Sequence, residues 1–486
     1  MVNEQVSRNG VHLHLYYKVG LPPVFLKTGG GYISSSQEEG NAVFDIQLYA
    51  NSTYLEVASP FLHAALLSPV FPMPATPPPA PLTPEVPETQ TDFSPPLHAW
   101  LEWLGLRFDP FGPLDAASDP RLGEYLVGHK AFARVWGDWP SWVFAPPGGG
   151  KTALRVRTAQ ACWVGQDTNR PFPIPYTPPF LSWEHASPSL DDHLTALARA
   201  GAVALLLALA HRPHWLFRLD DEARQAVRET LDWNLPGPLG DYLERCRQSG
   251  SLHSLRKSLD PTFLLPDPPD SDTLLRWCDV LDAVPAGGSR PAPAARWDSL
   301  CDLLLKGLGF RSVYLLVDGL DAAPETIADA RAMADCLAPL MPPVGDWAGR
   351  GIFVKWFLPL EAQPLLADRF PLLYTSAHTA TVRWTASLLA EVVRRRVYVA
   401  SEGAFGSLDA IASPALRDVE TILAQAVLPL PREMLVLTRR VLEEHVRREG
   451  SRGIIQEEDV DAAIRWYGAH KPSIVFEEEQ YSSRKQ

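Results

Sequence analysis

The sequence predicts an α/β fold built on a parallel sheet and extended by helices toward its C-terminal end. Three observations carry that prediction. From Leu97 onward, helical periodicity alternates with short apolar runs, the texture of strands joined by crossover helices. One such run, residues 142–145, leads directly into the glycine-rich loop 146–150, after which helical spacing resumes. Another, residues 313–317, is apolar throughout, as suits a central parallel strand covered on both faces.

The remaining elements follow in chain order. Residues 1–67 have a β-rich texture: 11–19 alternate apolar and polar, 42–49 form a second strand candidate, and Gly29-Gly30-Gly31 marks a turn or loop. Eleven prolines among residues 69–96 rule out a ladder or a helix there, so 68–96 is predicted to be a semi-rigid linker. The core is expected over 97–384. Within it, the proline-spaced segment 170–180 suits an edge strand, and 187–310 form a helical insertion. Strand candidates at 352–358 and 380–384 complete the sheet. Residues 385–467 follow as a helical segment, with 468–486 as a tail.

Composition excludes several classes. With 486 residues the chain is about three domain lengths, enough for a large core without metal or disulfide staples. Its five cysteines show no C-x-x-C pair and no histidines at zinc spacing, which removes a zinc ribbon and a redox dithiol. A net charge of −13 argues against non-specific wrapping of nucleic acid. No signal-peptide pattern opens the chain, and its longest apolar run, 11 residues at 200–210, falls short of the about 20 a membrane span needs. The expectation is a buried helix in a cytoplasmic protein with no membrane partner. No G-x-S-x-G, H-E-x-x-H or EF-hand loop is present.

The chemistry concentrates in Ala145-Pro-Pro-Gly-Gly-Gly-Lys-Thr152. It matches G-x-x-x-x-G-K-[ST] except for Ala145 in the first glycine position. Small residues let successive backbone N–H groups curl around a phosphate, at a helix N-terminus that favours anions. Pro147, Gly148, Gly149, Gly150, Lys151, Thr152 and Ala153 are the candidate nucleotide cradle. Lys151 would reach the β- and γ-phosphates, and the Thr152 hydroxyl would ligate Mg²⁺. The run Val313-Tyr-Leu-Leu-Val-Asp-Gly-Leu-Asp321 ends a strand in acid. Asp318 would hold Mg²⁺ beside the loop, and Asp321 would polarise the attacking water.

These motifs together resemble the P-loop ATPases of the AAA+ and STAND (signal-transduction ATPase) group, over about residues 108–467. The resemblance implies a parallel-sheet P-loop NTPase core with a C-terminal helical lid, binding ATP and Mg²⁺. Two further fragments are similar to that group. Leu126-Val-Gly-His-Lys resembles the segment lining the adenine pocket, which implies nucleotide contacts at Val127 and Gly128 and places His129 where arginine is usual. Leu430-Pro-Arg-Glu-Met-Leu resembles the sensor-2 segment, which implies that Arg432 touches the γ-phosphate. The segment ending at Ile464 resembles the last lid helix of archaeal initiator-like ATPases. Ala322 departs from the Asp-Gly-Leu-Asp-Glu of many STAND proteins, which bears against fast hydrolysis. The long span from Lys151 to Asp318 makes 187–310 an insertion, a surface for a partner or for regulation.

Lys355 on its strand suits a sensor-1 residue or a solvent-facing lysine. Arg394-Arg395-Arg396 suit a finger acting in trans on a neighbouring copy, or a solvated helix face. The pairs Arg439-Arg440 and Arg447-Arg448, interleaved with glutamates, read as a mixed-charge surface helix. Three functions stay open. The STAND resemblance implies an ATP-driven switch, able to form homo-oligomers, that relays nucleotide state to a protein partner in bacterial defence or stress signalling. The second is an initiator-like or transposition-regulator-like ATPase acting on DNA. The third is a nucleotide-binding scaffold without hydrolysis.

Overall fold

Two units divide the chain, Met1–Glu88 and Thr89–Gln486. The structure, a computed structural model, describes residues 3–7, 10–18, 34–38, 41–47 and 95–470, apart from 117, 165–167, 179–186, 262, 264–267, 323–325 and 327–328. The Gly29–Gly31 loop, residues 68–94 of the linker and 471–486 of the tail lie outside the described residues.

In the first unit, β1 (Asn3–Ser7), β2 (Gly10–Lys18), β3 (Ser34–Glu38) and β4 (Asn41–Gln47) form an antiparallel sheet in the order β1-β2-β4-β3. The alternation along β2 and β4 is what one covered face requires. Their register sets Leu15 opposite Phe44 and His14 opposite Asp45.

The second unit is built on five parallel strands: β5 (Ser141–Ala145), β6 (Pro171–Tyr176), β7 (Ser312–Val317), β8 (Ile352–Pro359) and β9 (His378–Thr381). Their order is β6-β7-β8-β5-β9. Every residue of β5 and β7 is buried, because both sheet faces are covered. Trp142, Phe144, Val313, Leu315 and Val317 face a large helical layer, whereas Val143, Ala145, Tyr314 and Leu316 face a smaller one containing Leu154.

β6 is an edge strand, and its prolines show why. The backbone carbonyls of Arg170 and Tyr176 accept from Arg311 and Asp318 on the β7 side. Strand residues alternate, so Pro171, Pro173 and Pro175 turn their missing N–H groups to the open edge. β9 begins two residues before the predicted segment, because pairing with β5 runs from Ser141↔His378 to Phe144↔Thr381.

Seven helices position the rest: α1 (Pro95–Trp103), α2 (Lys151–Cys162), α3 (Leu190–His211), α4 (Ala386–Ala400), α5 (Val419–Ala426), α6 (Pro431–Glu449) and α7 (Glu457–His470). α3 opens with a capping box between Ser189 and Asp192. It is long and apolar enough to cross a membrane, yet 72% of its apolar window is buried in the protein core. With the shorter helices between β6 and β7 it forms a helical block against the sheet. α4–α7 form a separate bundle, and α1 joins it through Leu97, Trp100 and Leu101. Inside that bundle Asp459 accepts from Arg448 Nε and Nη2 at 2.7 and 2.8 Å, and Trp100 donates to the Gly453 carbonyl at 3.0 Å.

Candidate functional site

In an open parallel sheet, ligands bind beyond the C-terminal strand ends where the strand order reverses. Here that point is β5: the chain leaves it for the far edge at β6, returns through β7 and β8, and then crosses to β9. The loop 146–150 occupies this place. Gly148 and Gly150 have φ of +73° and +89°, left-handed conformations that favour glycine. A Cβ on Gly148 would lie 2.9 Å from the Cβ of Arg432, so no other residue lets α6 pass so close. The Arg432 N–H points at the Gly148 carbonyl at 3.4 Å, and its side chain is exposed. The lid candidate and the loop are therefore adjacent.

Lys151, the first residue of α2, is 5% exposed. Its ammonium donates to the carbonyls of Ala145 and Pro146 at 3.1 and 3.2 Å and pairs with Asp321 Oδ2 at 2.8 Å. Asp318 follows the last residue of β7, and its N–H is bound by the Tyr176 carbonyl. Its Oδ2 accepts from Arg155 Nε at 3.1 Å, while its Oδ1 is buried with no hydrogen-bond partner. The site is thus electrostatically closed on itself, with each cation facing one carboxylate. Thr152 is partly buried in the first turn of α2, Pro147 is exposed, and Ala153 packs beside Leu122 and Tyr125.

Val127 packs against the helical bundle, and Gly128 is exposed next to it. His129 is buried. Its Nδ1 accepts from the Ala131 N–H at 3.1 Å, which leaves the proton on Nε2 to be donated to the Arg383 carbonyl at 2.9 Å. Its ring lies 5.2 Å from that of Trp384, whose indole N–H donates to the Gly149 carbonyl at 2.8 Å. His129 is a link in a wall behind the loop.

Two residues of this site were not singled out from sequence. Trp384 was only the end of a strand candidate, although its distance from β9 sets it over the loop. Arg155 follows Lys151 by four residues, a spacing that puts both on one face of α2.

Other expectations are corrected. Lys355 lies in the middle of β8, level with Leu316 of β7 and, on β5, with Ser141, four residues before the loop-proximal Ala145. That offset is about 13 Å of strand. Its buried ammonium donates to the Gly137 and Trp139 carbonyls at 2.6 and 2.5 Å and lies 4.5 Å from the Tyr314 ring centre. At the loop end, β8 offers Leu358 and Pro359 instead. Nor is Arg396 a free finger. It is buried, donates to Asp119 at 3.1 Å and lies over Tyr125 at 4.4 Å, while Arg395 pairs with Glu391 at 2.7 Å. On α6 the arginines do pair with carboxylates, as the mixed-charge pattern leads one to expect, Arg440 with Glu444 and Arg448 with Asp459.

Among the described residues no group of three or more His, Cys, Asp and Glu could hold a metal ion. Mg²⁺ takes few protein ligands beside substrate phosphates. The orphaned Asp318 Oδ1 and the Thr152 hydroxyl are oxygen donors of the kind it accepts. The chain is an α/β protein with an all-parallel five-stranded sheet, the Gly-Lys-Thr loop lying where its strand order reverses. No protein-family model, curated protein or solved structure matches it.

Proposed function

We propose that this chain binds ATP at the loop 146–150 and works as a slow P-loop switch. One observation carries the reading. Lys151 and Asp321, from segments separated by the whole helical block, form an ion pair at the C-terminal ends of β5 and β7, with Asp318 beside them. In this reading Lys151 exchanges Asp321 for the β- and γ-phosphates, and the loop amides and the N-terminus of α2 receive the remaining oxygens. Asp321, released from Lys151, orients water. Asp318 Oδ1 and the Thr152 hydroxyl would hold Mg²⁺, which neutralises phosphate charge when bound. Arg432, whose stem already runs over Gly148, would close the bundle α4–α7 on the nucleotide. Movement of that bundle and of the helical block would relay the nucleotide state to a protein partner or a second copy.

A non-hydrolysing scaffold is a second reading with its own support. β8 ends in Leu358 and Pro359 at the level of the loop, Ala322 follows Asp321, and Asp318 is already neutralised by Arg155. A DNA-directed role has less behind it, since Arg439, Arg440, Arg447 and Arg448 of α6 are engaged by carboxylates. Steady-state ATP turnover distinguishes these readings. The switch reading expects slow turnover that is lost in Asp321→Asn and reduced in Arg432→Ala. Turnover equal in all three proteins would overturn the assignment of these residues.

A further inference from the structure

Arg155 neutralises the carboxylate that a metal would use. Its Nε lies 3.1 Å from Asp318 Oδ2, and both side chains are more than nine-tenths buried, at 9% and 6% exposure. A buried pair of this kind is close to neutral as a unit, and either charge alone would be strongly unfavourable there. A divalent cation arriving at Oδ1 would meet the guanidinium across a single carboxylate, in surroundings that screen little. Beside it, Arg155 borders a cavity of about 10 Å³, room for one water, together with Trp163, Pro173, Pro175, Asp260 and Phe263.

We propose that Arg155 is a built-in competitor for the metal at Asp318, so that ATP binds with little help from Mg²⁺ for as long as Arg155 holds Asp318. The inference rests on the nucleotide-site reading above and goes beyond it. The metal dependence of this site is set by an arginine of its own phosphate-loop helix.

The test is calorimetric binding of ATP to the full chain, in EDTA and in Mg²⁺, for the wild type, Arg155→Gln and the double variant Arg155→Gln with Asp318→Asn. Gln keeps a donor for Asp318 without the charge, and the double variant restores neutrality, so its folding is protected. The expected wild-type affinity changes by less than about threefold with Mg²⁺, whereas Mg²⁺ tightens ATP on Arg155→Gln by about tenfold or more. The double variant folds and shows no Mg²⁺ response. Wild-type binding that already tightens about tenfold with Mg²⁺ overturns the proposal, and this arm needs no variant to fold. Equal Mg²⁺ responses in wild type and Arg155→Gln overturn it as well. ATP bound by wild type and Lys151→Ala alike, with or without metal, would instead overturn the nucleotide-site reading itself.

Discussion

Replacing Lys355 with methionine keeps the length of the buried stem and removes its amine. Burial pushes this lysine down from its ordinary 10.5 to about 7, against the pull of Asp138. Below pH 7 the amine is charged in both the folded and the unfolded chain, and the full penalty of burying it is present. Between about 7 and 10.5 the unfolded chain holds a proton that the folded one has released, so stability rises with pH. The slope is about 1.4 kcal/mol per pH unit. Going from about pH 7.5 to about pH 9, the wild type should gain about 2 kcal/mol relative to Lys355→Met. The variant has no such group, and other titrations cancel in the difference. Urea unfolding followed by tryptophan fluorescence at the two pH values measures it. Parallel profiles would refute the reasoning and mean that the Gly137 and Trp139 carbonyls and the Tyr314 ring keep the ammonium charged. The same variant separates structure from sensing: ATP affinity should be unchanged, and a loss of about tenfold would restore a nucleotide contact for Lys355.

Further outcomes are expected elsewhere. Trp384→Phe removes the indole hydrogen bond to the Gly149 carbonyl, worth about 0.5–1.5 kcal/mol, and should weaken ATP about threefold to tenfold by calorimetry. An unchanged affinity would detach Trp384 from the loop. Burial pushes the Asp459 carboxyl up, but hydrogen bonds from Arg448, the Gln456 N–H and His445 outweigh it and hold it below its ordinary value. Asp459→Asn should therefore destabilise by about 3 kcal/mol near neutrality. That difference shrinks as acid protonates the wild-type carboxylate, and a loss independent of pH would contradict the pairing. Arg396→Ala should lower the unfolding temperature by removing the partner of buried Asp119. When mixed with wild type it should leave ATP turnover per active site unaltered, whereas suppressed turnover would reinstate a finger in trans.

The sheet was legible because its signals are local. Five apolar residues in a row at 313–317 need cover on both faces, and prolines at alternate positions from 171 to 175 tolerate only an open edge. Strand order was not legible: nothing local to 352–358 says that this segment pairs between β7 and β5. That pairing sets Lys355 beside Ser141, where its ammonium reaches the Gly137 and Trp139 carbonyls and not the loop. The loop and the two aspartates stood out because their residue types and spacing are those a phosphate site would demand, and the fold brings Lys151 and Asp321 together. Arg155 and Trp384 escaped notice because their roles depend on partners far along the chain, at Asp318 and Gly149.

The account stands on Lys151. Calorimetric titration of ATP into the full chain, wild type against Lys151→Ala, tests it most directly. The account predicts saturable binding to the wild type and a loss of affinity of about a hundredfold or more in the variant, which forfeits a charge-assisted contact to phosphate. Equal affinity in the two proteins, or no binding to either, would contradict it.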